Sequence, residues 1–91
     1  MATVKNMVKA NNWTVYLLSC ADGTLYCGCT NDMDRRLRMH NSGKGSRYTR
    51  SRIPVSLVAE RHVLSHGDAL RLEYQIKQLP RRDKIPALIH G

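Results

Sequence analysis

The stretch Trp13–His40, WTVYLLSCADGTLYCGCTNDMDRRLRMH, decides the fold. Trp13 to Cys20 is rich in β-branched, aromatic and aliphatic residues and stops at a turn signal, Ala21-Asp22-Gly23, which predicts a strand. Thr24 to Cys29 is its predicted partner. Loop length settles which side chains share a face. A three-residue loop with Gly23 in the left-handed conformation is a type I turn plus bulge, a common hairpin connection. It pairs Cys20 with Thr24, Leu18 with Tyr26 and Tyr16 with Gly28, which puts both tyrosines on one face. A two-residue loop would put them on opposite faces. We expect the three-residue loop. Gly28 then lies across from Tyr16; it either leaves a gap where a ligand meets backbone or simply marks the strand end.

Thr30 to Ser42 is predicted to be a helix. Thr30 or Asn31 can cap it, and Asp32 and Asp34 suit the positive end of its dipole. Met33, Leu37 and His40 recur at helical spacing, and Arg36 falls on the same stripe. An arginine and a histidine on the inward stripe of a short helix call for a polar purpose. Arg35 and Arg38 lie off that stripe, toward solvent. Asn41-Ser42-Gly43 is a stop signal.

Gly43 to Arg52 is expected to be a flexible connection. Its Gly43-Lys44-Gly45-Ser46 run superficially suggests a phosphate loop, but a Walker pattern needs a glycine where this chain has Arg38. Lys44, Arg47, Arg50 and Arg52, with Tyr48 among them, instead suit a loop that tracks a nucleic-acid backbone; Arg35 joins this basic set. After Pro54, Val55 to Val63 is the third predicted strand, with Val55, Leu57, Ala59 and Val63 alternating against Ser56, Glu60 and His62. Ser65 caps a second helix, with Asp68 completing an imperfect capping box. Its apolar stripe is Ala69, Leu72, Ile76 and Leu79, and Glu73 sits within it. A carboxylate there needs a partner, and Lys77 one turn on is an ordinary one. Pro80 ends the helix. Arg81 to His90 is expected to close the chain as a short helix that Pro86 keeps from being long.

With 91 residues this is one small domain, residues 13–90, behind a loose tail at 1–12. Fifteen Lys+Arg against seven Asp+Glu give a charge of +8, a strong positive field that favours polyanions. The three cysteines cannot all pair within the chain, and free thiols in a reducing cytoplasm are expected. No apolar run reaches membrane-spanning length, and Lys5 and Lys9 interrupt the N-terminus where a leader would need an apolar centre. No membrane association and no small-molecule cofactor is expected. A zinc site from Cys20, Cys27 and Cys29 is disfavoured, since the expected register turns Cys20 away from the other two.

Tyr16, Tyr26, Arg36, His40 and Glu73 are therefore candidates for one cleft. Each suits phosphodiester hydrolysis. A carboxylate holds a divalent metal, a guanidinium stabilises charge on phosphoryl oxygens, and a phenol relieved of its proton activates water.

The ordered set resembles the GIY-YIG nuclease family. The first triplet corresponds to Thr14-Val15-Tyr16 and the second to Tyr26-Cys27-Gly28; Arg36, His40 and Glu73 match the family's arginine, its His-or-Tyr position and its metal-binding glutamate. The run Asn31-Asp32-x-x-Arg35-Arg36-Leu37-x-x-His40, then Ser42-Gly43-Lys44-Gly45, is closest to the small single-domain bacterial branch. The resemblance implies an α+β fold, a three-stranded antiparallel sheet flanked by helices in the order β-β-α-β-α-(α). It implies one Mg²⁺ or Mn²⁺ ion on Glu73, with Tyr16 or Tyr26 activating water, Arg36 binding the scissile phosphate and His40 assisting proton transfer. It implies an endonuclease, with DNA the expected partner, in repair or structure-specific processing. The rival reading is a nucleic-acid-binding module that turns over slowly or not at all; a small partner of a larger complex is a third.

Overall fold

A computed structural model of the chain describes residues 12–91. The expected tail at 1–12 lies outside the described residues except for Asn12. The elements are β1 (Trp13–Ser19), β2 (Leu25–Thr30), α1 (Met33–Asn41), α2 (Arg47–Arg50), β3 (Ser56–Val63), α3 (His66–Lys77) and α4 (Arg81–His90). The sheet is antiparallel with β1 in the centre, order β2-β1-β3. The fold class is α+β, as expected, with one helix more than the sequence suggested.

The hairpin turns on the three-residue loop. Cys20 N donates to Thr24 O, Gly23 N donates to Cys20 O, and Gly23 has φ +83°, a backbone region that glycine enters at no steric cost. The pairing is Leu18 with Tyr26 and Tyr16 with Gly28. Both tyrosines therefore lie on one face of the sheet. The loop is tied down on two sides. Asp22 pairs with Arg52 at 2.9 Å, and Arg81 donates to Gly23 O at 2.8 Å.

Strand alternation splits the core into two layers. Val15, Leu17, Cys27 and Ala59 face α3 and α4, where they bury Ala69, Ile76 and Leu88. Tyr16, Leu18, Cys20 and Val55 face the other way, with Tyr26, Met33, Leu37 and Leu57 packed against them. Cys20 is thus on the opposite face from Cys27 and Cys29, all three being free thiols. Trp13 stacks on His66 at 3.9 Å, which fixes the start of α3 against β1.

Four local expectations are corrected. Asp32, not Thr30 or Asn31, caps α1, accepting from Arg35 N; Thr30 instead accepts from Asp32 N. The third strand does not keep Leu57 and Ala59 on one face. Leu17 pairs with Ala59 while Leu18 pairs with Leu57, so Val58 is an extra residue, a bulge that reverses the alternation. Arg47–Arg50 is helical rather than loop, capped by Ser46. Pro86 does not interrupt α4, which runs through it to His90.

Candidate active site

The Tyr16 hydroxyl is the meeting point of the second layer, the one that packs against Met33 and Leu37. It lies 2.9 Å from His40 Nε2, and Arg36 Nε donates to it at 3.4 Å. Strand β1 supplies the phenol. Helix α1 supplies the other two, one turn apart on the stripe that also buries Met33 and Leu37. Tyr16 is 1% exposed and His40 fully buried. The gap left by Gly28 is not open to a ligand: the phenol itself fills it, and a Cβ there would lie 2.5 Å from the Tyr16 hydroxyl oxygen.

Proton accounting fixes how this cluster is wired. A guanidinium only donates, so Arg36 occupies a lone pair of the phenol oxygen. The phenol's own proton then needs an acceptor, because a buried donor left unpaired is costly. His40 Nε2 is the acceptor within reach. Burial, reinforced by the Arg36 charge, pushes His40 down to about 4, so the ring is neutral near pH 7. Burial pushes Tyr16 up to about 12 against the opposing pull of Arg36. The resting state is a neutral phenol donating to a neutral imidazole beside a fixed cation.

Tyr26 is half-buried at the outer side of this cluster. Its ring stands edge-on to His40 at 5.3 Å and stacks on Tyr48 at 5.8 Å. Arg52 lies 3.9 Å above the Tyr48 ring and donates to Tyr48 O. Arg52 thus binds both Tyr48 and the hairpin loop, while Tyr48 packs on Tyr26.

A cleft of about 280 Å³ opens beside the cluster, lined by Arg35, Arg36, Asp32 and Cys29 among others. Arg36 joins this cleft to the sealed phenol. Glu73 does not line it. Its carboxylate pairs with Lys77 at 2.7 Å, and the Cys29 side chain near it does line the cleft. Glu73 therefore lies outside the cleft, on the helix packed against the Cys27 face of the sheet. Burial and the nearby Glu73 carboxylate push the Cys29 thiol up to about 12, while the Glu73 contact raises Lys77. Lys44, Arg47 and Arg50 line a second hollow of about 190 Å³ together with Gly43, Gly45 and Ser46.

A Mg²⁺-class ion takes hard oxygen ligands, keeps several waters and is commonly held by one or two carboxylates plus substrate phosphate. Glu73 is the carboxylate expected in that role, and it is engaged by Lys77 and does not line the cleft. Among the described residues no cluster of three or more His, Cys, Asp or Glu is placed to hold an ion, so a closed zinc-type cage does not fit.

Thr49 is the residue that sequence reasoning missed. It is fully buried, and its Oγ1 lies 2.7 Å from His40 Nδ1. The only hint was the Ser46-x-x-Thr49 spacing of a helix cap, which says nothing about a histidine nine residues earlier.

Comparisons with known proteins place the chain in a family. Residues 12–85 match the family described as the GIY-YIG catalytic domain. A UPF0213 protein of Nitratidesulfovibrio vulgaris is 51% identical over 76 residues, covering 84% of this chain and 69% of that protein. The solution NMR structure of the UPF0213 protein BH0048 from Bacillus halodurans is 51% identical, with a TM-score of 0.51 over 80% of this chain and 78% of that one. That of the protein EF2693 from E. faecalis is 35% identical, with a TM-score of 0.60 over 86% and 83%. The chain belongs to the GIY-YIG catalytic domain family.

Proposed function

We propose that this protein is a divalent-metal-dependent endonuclease that hydrolyses phosphodiester bonds in DNA, acting in repair or on branched or flapped structures. The observation that carries the reading is the Tyr16 hydroxyl held between an imidazole nitrogen and a guanidinium. A phenol so placed has somewhere to send its proton and a cation beside its oxygen. In one concerted step the Tyr16 oxygen takes a proton from water admitted beside Arg36 as the Tyr16 proton passes to His40 Nε2, so no free phenolate forms between a phenol near 12 and an imidazole near 4. Arg36, which reaches both the phenol and the cleft, holds a phosphoryl oxygen and offsets the charge that develops on it. Tyr26, at the solvent side, orients the attacking water or takes over its activation. Glu73 is the residue that would hold Mg²⁺ or Mn²⁺, which supplies Lewis-acid polarisation of the phosphate when bound. Arg35, Lys44, Arg47 and Arg50 bind the flanking backbone, and Tyr48 with Arg52 shapes the surface beside Tyr26.

One observation favours a second reading, a nucleic-acid-binding module that turns over slowly or not at all. The Glu73 carboxylate is already paired with Lys77. Cleavage assays on flapped, branched, single-stranded and duplex DNA with Mg²⁺ or Mn²⁺ separate the two. The nuclease reading expects cleavage that Tyr16→Phe and Tyr26→Phe reduce by about 10²- to 10⁴-fold, the range for acid–base groups, and that Glu73→Ala abolishes. Cleavage that survives Glu73→Ala would point to a contaminant or another site, and no cleavage of any substrate favours the binding module.

A further inference from the structure

His40 is gripped from behind as well as in front. Its Nε2 meets the Tyr16 hydroxyl, and its Nδ1 meets Thr49 Oγ1. We propose that Thr49 is a positioning residue: its hydroxyl accepts the Nδ1–H of His40, locks the neutral ring in the Nδ1–H tautomer and so keeps Nε2 bare to take the Tyr16 proton. The catalytic consequence rests on the hydrolytic reading above; the tautomer itself does not.

The wiring follows from counting protons. A threonine hydroxyl has one proton to give. Were Thr49 to give it to His40 Nδ1, the ring proton would sit on Nε2. Two donors, Nε2–H and Arg36 Nε–H, would then point at the Tyr16 oxygen, and the proton of a 1% exposed phenol would have no acceptor. In the opposite sense every group is satisfied. Tyr16 donates to Nε2, Nδ1–H donates to Thr49 Oγ1, and the Thr49 proton goes to Ser46, whose Oγ lies at 3.0 Å and carbonyl at 3.4 Å. Among the described residues no buried side-chain polar atom is left without a partner.

The backbone around Thr49 is built to hold this contact. Ser46 Oγ accepts from Thr49 N at 3.1 Å and so fixes the single turn of α2. Gly45 lies flat against the imidazole: a Cβ there would overlap His40 Nδ1. Its carbonyl accepts from Arg36 Nη2 at 3.0 Å, so the same arginine that touches the phenol also pins this segment. The proton step needs no rearrangement. The Tyr16 O–H bond breaks, the Nε2–H bond forms, and Nδ1–H keeps donating to Thr49 in the resulting imidazolium. A ring whose second nitrogen is held by an outer partner is the usual way a histidine's tautomer is set.

Two-bond ¹H–¹⁵N correlation spectra of the ¹⁵N-labelled full chain at neutral pH read the tautomer of His40 directly. The Nδ1–H form is expected in the wild type and in Thr49→Ser, and loss of that form in Thr49→Val. On cleavage, Thr49→Val should lower kcat about ten- to hundredfold with KM unchanged, and Thr49→Ser should restore it. An Nε2–H ring in the wild type overturns the proposal. So does a Thr49→Val protein with an unchanged tautomer, or with an altered tautomer and unchanged kcat. If Thr49→Val does not fold, the wild-type and Thr49→Ser spectra decide. The spectra need neither substrate nor metal, so failure of the nuclease reading would leave them standing and the two failures remain distinct.

Discussion

Tyr16 and His40 form the buried polar pair of the candidate site, and burial sets how they titrate. A histidine sealed neutral in a fold is a liability in acid, and the sign follows from where it titrates. Burial and Arg36 hold His40 at about 4, below the ordinary 6.5. Between those values the unfolded chain binds a proton that the fold refuses, so stability falls as pH falls. The His40 contribution is intact above pH 6.5, is lost progressively down to pH 4 and changes no further below it. Asp22 and Asp68, held below 3.8 chiefly by bonds to Thr24 and Arg71, add their losses at lower pH. Urea midpoints should therefore be level from pH 8 to 7 and drop between 6.5 and 4. Midpoints that stay level through that window would show that His40 titrates normally. The shared face of Tyr16 and Tyr26 was legible in the sequence because a loop count and strand parity decide it. Thr49 was not, since its role depends on a fold-back that places a buried hydroxyl against one ring nitrogen.

At the scale of elements, the strands and the two long helices follow from period and punctuation, whereas three details do not. The Val58 bulge leaves the composition of β3 unchanged and alters only which residues share a face. Helix α2 is four residues long, too short for any periodicity, and exists through its Ser46 cap and its packing on His40. Glu73 reads equally well as a surface partner of Lys77 or as a site carboxylate; its pairing is the first, and it does not line the cleft. Two glycines show how elements impose different demands. Gly23 has a left-handed backbone, and a Cβ there would meet nothing within 4 Å. Gly23→Ala should cost about 1–2 kcal/mol from backbone strain alone and leave cleavage untouched. Gly45 has an ordinary φ but faces the His40 ring. Gly45→Ala should cost about 1–3 kcal/mol through overpacking and lower cleavage, because the ring must move. Denaturation and turnover measured side by side on both variants test this. Equal loss of turnover in both would mean that segment 43–50 does not support His40.

The whole molecule is a small positive body, and its charge is unevenly placed. Asp22 engages Arg52, and Asp68 engages Arg71, so part of the cationic surface is already neutralised. Lys44, Arg47 and Arg50 border one hollow and are exposed; Arg35 and Arg36 border the cleft on the other side of α1. Gly45 links the two regions, since it touches His40 and accepts from Arg36. A single strand bound across both would place one phosphate at Arg36 and others at the 44–50 segment. Such binding releases counterions, and the logarithm of the affinity falls linearly with that of salt, by about 0.7 per phosphate neutralised on a single strand. Arg47→Ala with Arg50→Ala should lower that slope by about 1.4 if each arginine holds one phosphate. Arg71→Ala, which removes a cation already paired with Asp68, should leave it nearly unchanged. Fluorescence anisotropy of a labelled oligonucleotide over a salt series measures both. An unchanged slope in the double variant would move the binding track away from the 44–50 segment. An equal drop in Arg71→Ala would mean that net charge, and not its placement on this face, governs binding.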